Sequence, residues 1–277
     1  MIGQAFSSEW VKALRQKRGL FWAYGFTPIA GLGIGLIGFI WLYSTNPAMA
    51  AMSAPSPMKA LMDGAGVARN PVVVLFLVMG AANLFAGEYR WLTWRYMLVR
   101  NTRLNLMAAK LAVFVLLSAI CLLLFMLGGL IVAAVDSAFT HVAMQPFPKG
   151  AGAAILAAFG IALLDLAGVG ALVAVASVVS RTLTGAIISI IVFLLVLVFA
   201  ESQAMMHQVT WAQQILPGIA YDRLMAGVMG LIGAIPRQAM LASPVSVPGA
   251  IAVLIAWLAV PAALAAALFV RQDLSRE

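Results

Sequence analysis

Six long apolar stretches dominate the pattern of hydrophobic and polar positions along the chain. A helix needs about 20 mostly apolar residues to cross the hydrocarbon core of a bilayer. The six stretches reach or approach that length, and the second, PVVVLFLVMGAANLFAG, is the shortest. We therefore predict an all-α membrane protein with six transmembrane helices in one domain, residues 1–277. The predicted spans are residues 21–43, 71–87, 106–135, 151–179, 184–201 and 249–270.

The segment before the first span has a different periodicity. Phe6, Trp10 and Leu14 recur at helical spacing, whereas Glu9 and the basic residues fall largely on other sides of the same helix. This pattern is typical of an amphipathic helix that lies in the membrane interface. We predict such an interfacial helix over residues 1–20.

Two long connections, residues 44–70 and 202–248, lie on the side of the membrane away from the amino terminus if all six spans cross. The second contains a short apolar stretch, Val228–Ile235, which is too short to span a bilayer. Non-helical or broken segments enter a membrane only where protein surrounds them. The sequence therefore predicts an external re-entrant region at 202–248, before the sixth span.

The composition excludes a soluble protein. Hydrophobic residues make up 64% of the chain and charged residues 9%, whereas soluble domains carry about 25% charged residues. The single cysteine, Cys121, excludes a disulfide framework and a multi-cysteine metal site within this chain. No G-x-x-x-x-G-K-[ST] motif occurs, so the phosphate-binding loop of an ATPase is absent.

The net charge of +8 is explained by topology. Basic residues collect on the cytoplasmic loops of membrane proteins. With six spans, 12 of the 17 lysines and arginines fall on the side of the two termini. We predict that both termini are cytoplasmic, and the excess charge then gives no indication of nucleic-acid binding.

The densest polar segment, residues 88–103, follows the second span on the predicted cytoplasmic side. Trp91, Trp94, Arg95 and Leu98 share one helical face in it. A positive-inside loop with interfacial aromatic residues would explain the composition of this segment. It explains less well why the loop is so long and amphipathic.

The pattern after the second span resembles that of ABC-2-type permeases, the transmembrane subunits of type V ABC exporters. The matching residues are Glu88, Thr93, Arg95, Leu98, Arg103 and Lys110. The resemblance covers essentially the whole chain, from the interfacial helix to the external region before the sixth span. The chain departs from the family at Leu92, where glycine is frequent, and at Asn101-Thr102, where Pro-Ser often precedes the arginine.

The resemblance implies a permease that dimerises and sits on two separate ATP-binding subunits in a bacterial inner membrane. ATP and Mg²⁺ would bind to those partners, and this chain would hold no cofactor and have no enzymatic activity of its own. Segment 88–103 would be the coupling helix that docks into a cleft of the ATPase. The coupling residues implied in this way are Glu88, Arg90, Thr93, Arg95, Arg100 and Arg103.

Asp165 and Glu201 are the candidate residues of a translocation path. Asp165 lies in the middle of the fourth span, where a charged side chain is costly and usually functional. We expect no lysine or arginine in the middle of another span to pair with it. Two interpretations stay open: a carboxylate that faces substrate or protons, as in a proton-coupled carrier or channel, and a residue that stabilises helix packing. Glu201, at the outer end of the fifth span, marks a helix end or lies near the exit.

A weaker hypothesis concerns copper, because thioether and imidazole groups are ligands that suit it. Several methionines and both histidines fall in the predicted external parts, and Met205, Met206 and His207 are adjacent. Methionine more often fills gaps at apolar surfaces. A permease for copper or metalloenzyme maturation therefore stays an alternative.

The substrate class is indicated only by the spans. Because they are mostly apolar, they favour a hydrophobic or amphipathic substrate, such as a lipid, a peptide or a drug.

Overall fold

The structure is a computed structural model that describes residues 2–46, 54–91, 102–232 and 245–272, except for the side chains of residues 90 and 91. The described residues form helices and turns, and no strand occurs among them. The helices are α1 (Ile2–Arg15), α2 (Lys17–Thr45), α3 (Pro57–Gly66), α4 (Pro71–Trp91), α5 (Arg103–Thr140), α6 (Ala151–Ser180), α7 (Leu183–Met206), α8 (Thr210–Gln213), α9 (Pro217–Leu231) and α10 (Val247–Arg271).

All six predicted spans are confirmed as helices that are long and apolar enough to cross a membrane: α2, α4, α5, α6, α7 and α10. The shortest apolar stretch forms α4, which continues four residues beyond the predicted end. The helix α5 has 38 residues, about 57 Å at 1.5 Å per residue, and is therefore longer than a bilayer core of about 30 Å. Hydroxyl groups that accept a backbone N–H mark three of these helix starts, at Thr102, Thr182 and Ser246.

The helix α6 lies at the centre of the bundle, in contact with α4, α5, α7 and α10. Its buried face consists mostly of alanine, glycine and valine, which lets neighbouring helices approach closely. A Cβ atom at Gly170 would overlap the ring of Phe114 on α5. Close approach also explains Gly31 of α2, which lies against Phe125, but not Gly33 or Gly160, which face open space.

The bundle has two distinct ends. At the end called here the α1 end, α1 contacts α2, α4 and α5, and hydrogen bonds join the ends of α4, α6 and α10 and the start of α5 to one another. At the far end, the short helix α9 packs against α6 and α10, and the short helix α3 packs against α5 and α6. Apolar side chains bury this contact, in a cluster of Met58, Leu61, Met62, Ala65, Met126, Ala151, Ala154, Ala158 and Val228.

The long connection at residues 202–248 is partly helical. It contains the end of α7, the single turn α8 and the 15-residue helix α9. At about 22 Å, α9 is too short to cross a bilayer. Residues 233–244 lie outside the described ranges, so the re-entrant path stays a prediction.

The helix α1 packs differently from the expected arrangement. The sequence placed Glu9 away from the apolar face, but the buried residues of α1 are Ala5, Glu9 and Ala13, which face α5. Trp10 is half-buried and Leu14 is exposed. The expectation for Glu9 was wrong because periodicity alone does not distinguish a face that contacts lipid from a face that contacts protein.

Candidate functional site

Four charged residues meet at the α1 end, and we call them the Lys110 cluster: Glu9, Lys12, Glu88 and Lys110. Lys110 has no exposed surface, and Glu9 and Glu88 are 1% and 2% exposed. The Lys110 Nζ donates to Glu9 Oε2 at 2.7 Å, to the Leu84 carbonyl at 2.8 Å and to Glu88 Oε1 at 3.0 Å. Lys12 contacts Glu88 as well.

Three helices supply the side chains of this cluster. Glu9 and Lys12 come from α1, Glu88 from the last turn of α4, and Lys110 from the second turn of α5. Two carboxylates balance two ammonium groups, so the cluster is neutral as a whole. Breaking a buried ion pair by removing one partner is costly, so the cluster fixes α1 against the ends of α4 and α5 that flank segment 92–101.

Arg103 joins the start of α5 to the end of α10. Its Nη1 donates to the carbonyl groups of Phe269 at 2.8 Å, Val270 at 3.0 Å and Gln272 at 2.6 Å. The last carbonyl groups of a helix have no partners within that helix, and an arginine can satisfy them. Gln272 also accepts from Tyr89 and donates to the Val178 carbonyl, which ties α4 and α6 to the same point.

These contacts correct the positions expected for two of the coupling residues. Glu88 was expected on a docking surface that faces a partner, but it is buried and bonded to lysines of its own chain. Arg103 is half-buried and occupied by α10. The side chain of Arg90 and the residues Thr93, Arg95 and Arg100 lie outside the described part of the chain.

A second group of charges lies between α6, α7 and α9, and we call it the Arg69 cluster: Arg69, Asp165, Glu201, Tyr221 and Asp222. Arg69 ends the 3₁₀ turn Val67–Arg69, between α3 and α4. Its Nη2 donates to Glu201 Oε2 at 2.8 Å, and its Nη1 lies 3.6 Å from Asp165 Oδ1. The guanidinium also lies over the Tyr221 ring, 5.7 Å from its centroid.

The sequence predicted no basic partner for Asp165 in the middle of another span, and the structure places its partner, Arg69, outside the spans. Arg69 was assigned to an external connection because it precedes the second span in sequence. The turn before α4 instead enters the bundle and brings its guanidinium to the middle of α6. The available signal was Asp165 itself, because a buried carboxylate requires a cation, and Arg69 lies two residues before the shortest apolar stretch, which begins at Pro71.

Glu201 does more than mark the end of a helix. Its Oε2 binds Arg69, and its Oε1 accepts the backbone N–H of Gly218 at 2.7 Å, in the first turn of α9. A carboxylate at a helix amino terminus is favourable. A Cβ at position 218 would overlap both Arg69 and Glu201, so glycine is required for this approach.

The charges around Arg69 keep its guanidinium protonated. Burial alone would lower the pKa of Arg69, but Asp165, Glu201 and Asp222 outweigh burial and raise it. Burial and the charge of Asp165 raise the pKa of the Tyr221 hydroxyl, which donates to the Ala65 carbonyl at 3.4 Å. Asp222 is exposed, so the cluster has three acids, one cation and an opening to its surroundings.

The methionine and histidine candidates lie at the end of α7 and directly after it. Met205 and Met206 are exposed at the end of α7, and His207 lies 3.1 Å from the side chain of Gln203. Met58 and Met62, which were expected in an external loop, are on the buried face of α3. No group of three or more His, Cys, Asp or Glu residues within the described ranges is arranged to hold a metal ion.

The fold defines a multi-pass helical membrane protein. Comparison with protein-family models finds no match to this chain, and comparison with curated proteins finds none either.

Proposed function

We propose that the chain is the transmembrane permease subunit of an ATP-driven ABC exporter, which works with a separate ATP-binding subunit. The proposal assigns both termini to the cytoplasm of a bacterium and places two permease copies in the inner membrane. The substrate is hydrophobic or amphipathic, since the spans are mostly apolar. The short helices α3 and α9 then lie toward the external side, with α9 entering the outer leaflet.

The observation that carries this proposal is the Lys110 cluster. Glu88 and Lys110 belong to the family-like pattern, and they meet in three dimensions although segment 92–101 separates the helices that bear them. The cluster also binds α1 through Glu9. A force applied to segment 92–101 by a partner would therefore reach α1, α4 and α5 together.

The proposed mechanism involves no covalent chemistry in this chain. The partner subunits bind and hydrolyse ATP, and their closure displaces the docked segment 88–103. The displacement is transmitted through the Lys110 cluster to the spans, which open the translocation path alternately to each side. Arg95 and Arg100 supply the contacts with the partner subunit in this mechanism, while Glu88 and Arg103 hold the two ends of the segment in place.

A proton-coupled carrier is the second candidate, because Asp165 is a buried carboxylate midway along α6. The contact with Arg69 argues against it, since a carboxylate that already neutralises an arginine is less free to exchange protons. Loss of transport in an Asp165→Asn variant with no ATPase present would favour the carrier over the exporter.

The exporter proposal is tested by ATP hydrolysis in proteoliposomes that contain the chain and its ATP-binding partner. We expect Arg95→Ala and Arg100→Ala to weaken assembly with the partner and to lower the stimulation of its ATPase activity. Lys149→Ala is the control, because Lys149 is exposed at the far end of the bundle. Unchanged assembly and stimulation in both arginine variants would refute the coupling assignment.

A further inference from the structure

One guanidinium holds together four elements at the far end of the bundle. Arg69 belongs to the turn that joins α3 to α4, and it binds Glu201 of α7 and lies beside Asp165 of α6. Within the described ranges, no other lysine or arginine forms an ion pair with either carboxylate. Release of Arg69 would therefore free the α3–α4 connection from both α6 and α7.

The same contacts reach the second short helix, α9. Glu201 accepts the N–H of Gly218 with the carboxylate oxygen that Arg69 does not use. Tyr221, one turn further along α9, lies under the guanidinium and donates to Ala65, near the end of α3. Both short helices are thus attached to one point.

Beneath α3 and α9 lies an apolar contact with α5 and α6. Met58 and Met62 of α3 and Val228 of α9 are buried there against Met126 and Ala158. Both helices are too short to span a bilayer. The helix α3 is held by this apolar contact and by the Arg69 cluster, whereas α9 also packs on α10 through a second apolar cluster that includes Ala220 and Leu254. An arrangement with few charged attachments at one point can separate without unfolding the long spans.

We propose that Arg69 is the positioning residue of an ionic lock, which keeps α3 seated on α5 and α6 and keeps α9 attached to α3, and which separates when the far end of the bundle opens. The inference rests on the proposed transport function, since only a transport cycle requires this end to open. It assigns Arg69, Glu201 and Gly218 to conformational control and leaves substrate contact to other residues.

The lock is tested by thiol accessibility in the purified chain, without any ATPase. A Met62→Cys reporter lies on the buried face of α3, and the native Cys121 is a second buried reporter between other helices. We expect Arg69→Gln to accelerate the reaction of a membrane-impermeant maleimide with the Met62→Cys thiol about tenfold or more, because the free energy of local opening falls. The reaction at Cys121 should not change. Lys59→Gln, which removes an exposed charge from α3, is the control.

A second pair of variants perturbs the lock without removing its charges. Gly218→Ala should accelerate the same reporter, because the added Cβ displaces Arg69 and Glu201. Gly227→Ala, in the same helix but facing open space, should not. If Arg69→Gln does not fold, the comparison of Gly218→Ala with Gly227→Ala tests the lock instead.

Two results would overturn the inference: a Met62→Cys thiol that stays protected in folded Arg69→Gln and Gly218→Ala variants, or equal acceleration at Cys121, which indicates general loosening. Because no ATP-binding subunit is present, this outcome is independent of whether such a partner exists.

Discussion

A lysine with no exposed surface must find its counter-charges inside the fold, since an unpaired buried ammonium is strongly destabilising. Lys110 has two carboxylates and a carbonyl group within 3.0 Å. Arg69 is in a similar position at the other end, with Glu201 and Asp165 beside it. In both cases the basic residue lies within one or two turns of a helix start.

Lys110→Met should destabilise the protein by about 3–5 kcal/mol, because Glu9 and Glu88 lose their buried partner. Adding Glu9→Gln should recover a large part of this loss, since Lys12 and Glu88 then remain as a balanced pair. The free energy of unfolding, measured by denaturant titration in detergent, checks both variants. Lys59→Met, at an exposed lysine, is the control. A Lys110→Met variant as stable as the wild type would contradict the geometry of the cluster.

Whole helices were predictable because the bilayer sets a minimum length, and six stretches meet it. The packing of α1 was not predictable, because in sequence Glu9 resembles any polar residue of an amphipathic helix. Its burial becomes evident only when the structure places Lys110 opposite it. The turn that carries Arg69 was not predictable either, because sequence distance does not reveal that a connection folds back into the bundle. Asp165 was identified from a general rule about intramembrane charge, and its partner required the structure.

At the level of single elements, Arg103 makes a clear prediction about the end of α10. Arg103→Gln removes charge-assisted hydrogen bonds worth about 1.5–3 kcal/mol each, although not additively. The amide hydrogens in the last turn of α10 should then exchange about tenfold faster or more, while those in its middle are unchanged. Hydrogen exchange followed by mass spectrometry gives the rates.

The matched control for this experiment is Arg271→Gln. Arg271 lies in the same turn of α10 and is exposed. If both variants exchange at the same rate in the last turn, the contact of Arg103 with the α10 carbonyl groups does not stabilise the helix end.

At the scale of the whole molecule, the two charged clusters lie at opposite ends of one helix. The helix α4 begins two residues after Arg69, and its last turn carries Glu88. A displacement of segment 92–101 would thus be passed along α4 to the Arg69 cluster. In this arrangement a single helix, α4, connects the proposed docking segment at the α1 end with the proposed lock at the far end.

The most direct test of the central claim is to purify the tagged chain from its native membrane and identify its stoichiometric partners by mass spectrometry. The exporter account predicts an ATP-binding subunit, together with a second permease copy, and predicts that Arg95→Ala and Arg100→Ala deplete that subunit. A folded, monodisperse chain that is recovered repeatedly without any ATP-binding protein would contradict the account.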